Sequence, residues 1–221
     1  MFALMAPASF GQTVSLGGES LESTPATGQQ TTFGSFTCDK NGTTVVPFQT
    51  SGSAFGPYSG TFTETGTITI GPQTVPGLDA TSSGPILDFQ ASFTITSVFP
   101  TATITGTKHL APTSPPAAEL SAFGHCDPDG SSPPAGAVFA IVSDPFVLYD
   151  AQINAVTGTR TDSGTSGFVI QSVTSPTAPA SFQEAFNSTS PPECEDGNNG
   201  NGNGNGHPKK KHDNDDEEDC D

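Results

Sequence analysis

The chain has 221 residues, enough for one all-β domain of ordinary size with some length left over. Its 6 Lys and Arg stand against 23 Asp and Glu, a formal charge of −17, which repels phosphate backbones and anionic membrane surfaces and disfavours nucleic-acid binding. Charged residues are 13% of the chain while Thr, Ser, Gly and Pro abound, a composition unusual for a cytosolic enzyme and common in secreted β-proteins.

Residues Phe2 to Met5 form a short apolar run before Ala6-Pro7-Ala8, a small-x-small pattern. No basic segment precedes it, and it is shorter than the ~7–15 apolar residues of a secretory signal. Residues 1–11 are therefore expected to be the remnant of a signal whose start lies upstream. No run of about 18 apolar residues exists to span a membrane as a helix.

Residues 12–190 read as one β domain. Thr31 to Cys38 and Thr43 to Thr50 are predicted strands joined by Asp39-Lys40-Asn41-Gly42, whose Asn-Gly supplies the positive φ of a tight hairpin. In 61–70 Thr occupies every odd position, with Phe62, Ile68 and Ile70 on the other face; Glu64 shares that apolar face. The segment 88–97 sets Phe89, Ala91, Phe93 and Ile95 against polar neighbours, and 101–110 sets Ala102, Ile104 and Leu110 against four Thr. Such period-two alternation gives each strand one buried and one wet face. The runs 137–143, 146–153 and 166–173 complete the set, with a short piece at 181–186; helical spacing is confined to 117–123 and 181–186. Pro, Gly and Ser clusters at 51–60, 71–85, 111–118 and 127–136 separate the strands. The predicted fold is an antiparallel β-sandwich of roughly 8–10 strands, with a closed β-barrel as the alternative. Residues 191–221, Asn/Gly-rich and then basic and acidic, are predicted to be a disordered tail.

The text GPYSGTFTETGTITI, SFTITS, ITGTK and TDSGTS, within residues 36–186, resembles loosely related secreted bacterial all-β proteins with no assigned activity. The resemblance implies secretion and a β-rich fold, and it transfers no catalytic residue.

Four cysteines, Cys38, Cys126, Cys194 and Cys220, permit three disulfide pairings. In an oxidising compartment Cys38–Cys126 would close the body and Cys194–Cys220 the tail. Asp162-Ser163-Gly164-Thr165 spells the turn of an aspartic peptidase, but that chemistry needs two carboxylates sharing a proton, and the motif occurs once, after a polar lead-in. Asp162 is expected to be exposed in a tight turn between strands, facing no second carboxylate. Asp127 and Asp129 resemble the opening of a calcium loop but lack the six to eight oxygens such a site requires. They are weak calcium candidates, as is the acidic tail block Asp213 to Asp219, which reads better as solvated; no other cofactor is implied. His125 beside Cys126 points away from it on a strand, and His109 is expected to be solvated. Paired acids for glycoside hydrolysis would come from Glu64, Asp88, Glu119, Asp144, Asp150 and Glu184. Glu64 stands out: its parity makes it either a strand-edge residue or a buried acid with a raised pKa. Sugar platforms are sparse, with no Trp and only Tyr58 and Tyr149 beside 16 Phe at mostly core parity. Thr ladders read as solvent-side residues rather than a crystal-binding face, because no fixed period links them.

Together these features predict a secreted, non-catalytic extracellular module with an unidentified ligand or surface as partner. The competing reading is a secreted hydrolase whose carboxylates come from separate strands, Glu64 among them.

Overall fold

Thr alternating with apolar residues builds strands whose two faces differ in polarity, and such strands gain most by wrapping their apolar faces around one core. The computed structural model describes residues 15–39, 41–72, 84–112, 120–122, 138–172 and 179–189. The expected signal remnant and tail lie outside them. The described chain forms β1 (Ser20–Ser23), β2 (Thr31–Phe33), β3 (Thr37–Cys38), β4 (Thr44–Phe55), β5 (Ser59–Ile70), β6 (Ile86–Phe99), β7 (Ala102–Leu110), β8 (Leu120–Ala122), β9 (Val138–Ala155), β10 (Gly158–Ser172) and β11 (Ser181–Ser188). All strand pairings are antiparallel, in the order β1-β11-β10-β9-β7-β6-β5-β4-β2, with β3 on β4 and β8 on β9. Among the described residues no helix is long and apolar enough to cross a membrane.

The all-β antiparallel fold expected from the sequence is observed. Its walls face each other across one core, as in a sandwich. Phe89 of β6 packs on Phe168 of β10 with ring centroids 4.6 Å apart, and Phe62 of β5 meets Phe182 of β11 at 5.7 Å. β1 joins the edges: Leu21 pairs with Glu184 on one side and with Ala54 on the other. Ladder hydrogen bonds therefore run from β4 around to β11 and back to β4 through β1, which leaves few strand edges open to other chains.

The hairpin at residues 39–43 forms as expected. Gly42 takes φ 80°, and Asp39 Oδ1 accepts from the amides of Asn41 and Thr43 at 2.8 Å each. Several boundaries differ. The Gly/Ser text at 51–55 continues β4, and β1 arises where no strand was expected. The short piece at 181–186 is a strand as expected, its Phe182, Glu184 and Phe186 alternating inward along β11, and Leu120–Ala122 adds the short β8. The runs 137–143 and 146–153 fuse into β9. Opposite them, the β10 register jumps from Ser166↔Val147 to Phe168↔Val142. This bulge absorbs Pro145, which cannot donate to a ladder, and moves the inward face from Ala140 and Val142 to Val147, Tyr149 and Ala151.

Glycines inside these strands pair with aromatic residues. Gly66 lies opposite Phe48, Gly52 opposite Phe62, Gly106 opposite Phe93 and Gly164 opposite Tyr149. A Cβ at Gly106 would come within 2.5 Å of the Phe93 ring, and one at Gly66 within 2.7 Å of Phe48. The missing side chains thus give the rings room to lie flat on the neighbouring strand, so that a glycine-weakened strand regains packing.

On the outer face the Thr ladders come into register. Thr61, Thr96 and Thr103 form one cross-strand row over β5, β6 and β7; Thr63, Thr94 and Thr105 form the next, and Thr65, Ser92 and Thr107 the third. No sequence period encodes these rows. They arise because the β5–β6 and β6–β7 pairings align the three segments.

Candidate functional site

Three charged side chains meet inside the walls. Lys108, at inward parity on β7, donates from Nζ to Glu64 Oε2 on β5 at 2.5 Å and to Glu184 Oε2 on β11. All three side chains have 0% exposure. Ser166 on β10 donates to the other oxygen of Glu184 at 2.8 Å. Glu64 Oε1 has no hydrogen-bond partner among the described residues. The surroundings are aromatic: Nζ lies 4.5 Å from the Phe93 ring centroid and 4.8 Å from that of Phe186, so both ring faces stabilise the cation.

Two carboxylates around one ammonium leave a net negative charge in a site closed to bulk solvent, and desolvating each ion costs several kcal/mol. The strain falls on Glu64, whose carboxyl is raised to about 7 by burial; the Glu184 charge adds to the rise and Lys108 opposes it. Of the two structural options the sequence left for Glu64, the buried acid is the one the fold realises. Glu184 joins it. Both acids were among the six weighed for paired-carboxylate chemistry, and the fold brings these two within hydrogen-bond reach of one nitrogen, so at most about 6 Å apart. Asp144 and Asp150 are exposed, Asp88 is half-buried, and none belongs to the cluster.

A second buried cluster corrects the reading of Asp162. It is 3% exposed and lies within the continuous strand β10 rather than at a turn. It accepts from the Leu16 amide at 2.7 Å, from the Tyr149 hydroxyl at 2.9 Å and from Ser188 Oγ at 2.6 Å. Gly164 does not reverse the chain; it faces inward and makes room for the Tyr149 ring, which a Cβ would approach to 2.9 Å. Among the described residues the hydrogen-bond partners of Asp162 are an amide and two hydroxyls, the pattern of a structural carboxylate. Burial raises the Tyr149 hydroxyl pKa, and the Asp162 contact raises it further.

Glu19 is a fourth buried acid, and the sequence reading passed over it. Its Oε2 accepts from the Tyr58 amide at 2.8 Å, and burial raises its pKa. Tyr58 and Tyr149 are both buried, so neither is an open sugar platform. His109 is exposed, as expected. Asp127, Asp129, Cys126, Cys194, Cys220, His125 and Glu119 lie outside the described residues, as does the side chain of Cys38. Among the described residues no three His, Cys, Asp or Glu side chains gather to hold a metal.

Lys108 and Ser166 are the members of the charged cluster that sequence reasoning missed. The signal was there: Ile104, Lys108 and Leu110 share a parity, as do Ser166, Phe168 and Ile170. Comparison of the chain with protein-family models, with curated proteins and with solved structures finds no match.

Proposed function

We propose that the chain is a secreted extracellular structural or binding module without catalytic turnover. One observation carries the reading: Glu64 and Glu184, the acids that the fold brings together with Lys108, are sealed at 0% exposure, so no substrate reaches them. The competing hydrolase reading gains their juxtaposition and lacks an entry path. The outer face suits contact with a polar surface. An open depression there is lined by Thr105 and Thr107 of β7, Asp150 and Gln152 of β9, and Thr161 and Ser163 of β10. At one end of the sheet the β4–β5, β6–β7 and β9–β10 hairpins expose Phe55, Phe99 and Val156, apolar tips of the kind that mark interaction sites when they cluster.

The test is to fractionate producing cells and to assay the purified chain on chromogenic glycosides, esters and casein. The module reading expects the chain outside the cytoplasm and no turnover. Retention in the cytoplasm, or hydrolysis that disappears in both E64Q and E184Q, would overturn it.

A further inference from the structure

The Glu64–Lys108–Glu184 cluster brings a primary amine against two carboxyl groups in a fully buried, aromatic-walled space. Its parts divide into distinct chemical roles. Lys108 Nζ touches both acids. Glu184 is held at both oxygens, one by the amine and one by the Ser166 hydroxyl. Glu64 is bonded at Oε2, and its Oε1 has no partner among the described residues. Side chains so placed are near-attack partners whose encounter entropy folding has already removed.

We propose that Lys108 and Glu184 condense to an intramolecular isopeptide bond, with Glu64 as the proton shuttle and Ser166 as the oxyanion donor. Glu64 takes a proton from the Lys108 ammonium, which frees the lone pair on Nζ. Glu64 passes that proton to Glu184 Oε2, and the neutral amine attacks the carbon of the now neutral carboxyl group, forming the N–C bond. Oε1 carries the developing negative charge and is held by the Ser166 hydroxyl, as hydrogen-bond donors hold a tetrahedral intermediate elsewhere. Glu64 then carries a second ammonium proton from the nitrogen to Oε2, and the C–Oε2 bond breaks with loss of water. One proton stays on the amide nitrogen and Glu64 ends as it began. An ammonium and a carboxylate become an amide and water, with no oxidant or activating group. The driving force is local: condensation removes two ions whose burial is costly, and bulk water is excluded from the reverse reaction.

The bond would tie β7 to β11, linking positions 76 residues apart in the chain. This inference concerns a modification of the fold itself and stands independently of the module reading.

Mass spectrometry of the reduced, denatured full chain, followed by peptide mapping, tests it. The expected result is loss of one water and a branched peptide joining Lys108 to Glu184. In E64Q and E184A the map should show linear peptides only. E64Q keeps the shape of the acid, and its circular dichroism reports whether it still folds as β. Linear peptides from folded wild-type chain overturn the proposal. A branch from Lys108 to Glu64, or a persisting Lys108–Glu184 branch in folded E64Q, overturns the assigned roles.

Discussion

Tyr149 and Asp162, on neighbouring strands, share a buried hydrogen bond of 2.9 Å, and the same carboxylate also holds the Leu16 amide and the Ser188 hydroxyl. Asp162 therefore ties the segment entering β1 to β9, β10 and the end of β11. Removing the carboxylate orphans buried donors, each worth about 1–3 kcal/mol. Asp162→Ala is expected to lower unfolding free energy by about 3 kcal/mol and Tyr149→Phe by about 1 kcal/mol, as read from urea denaturation. Equal, negligible effects would show that the cluster does not carry load.

In the uncondensed chain Lys108 neutralises two acids at once. Lys108→Met leaves two carboxylates facing each other and is expected to destabilise by about 3–5 kcal/mol. Adding Glu64→Leu and Glu184→Met removes the stranded charges and should recover much of that loss, because apolar replacement of a buried ion network is often neutral or stabilising. Thermal melts of the single and triple variants at one pH decide this.

Stability should fall as pH rises from about 4.5 to about 7. The unfolded Glu64 carboxyl releases its proton near 4.5, whereas the folded one, its pKa raised by burial, holds it to about 7. Between those values the folded state binds more protons, so raising pH favours unfolding. The stabilisation is complete below the lower value and is lost by the upper one, about 3 kcal/mol in all for a shift of this size. Glu64→Gln should flatten this window in a series of denaturant melts. In the condensed form Lys108 no longer draws the pKa down, so the window would extend to higher pH.

Gly106→Ala is expected to cost about 1–3 kcal/mol, the usual range for overpacking, because its Cβ meets the Phe93 ring and the Asp150 carbonyl. Thr105→Ala, one residue away on the wet face, should stay within about 0.5 kcal/mol of wild type. Chemical denaturation of the two variants side by side separates the inner face of β7 from the outer.

Period-two alternation is a local property, since neighbouring side chains of a strand must point oppositely. For that reason the sequence alone determined the all-β class, the two-faced strands, the Asp39–Gly42 turn and the inward parity of Glu64. The same parity ran through Lys108 and Asp162, yet residue type pointed the other way: lysine reads as solvent-facing, and Asp-Ser-Gly reads as a turn. Which residues meet was decided only by the tertiary structure. Glu64, Lys108 and Glu184 belong to strands that alternation cannot order. It took the pairing register and the closure of the ladder through β1 to set them around one nitrogen. Once the walls closed, burial turned three ordinary surface-type residues into one charged cluster shut off from bulk solvent.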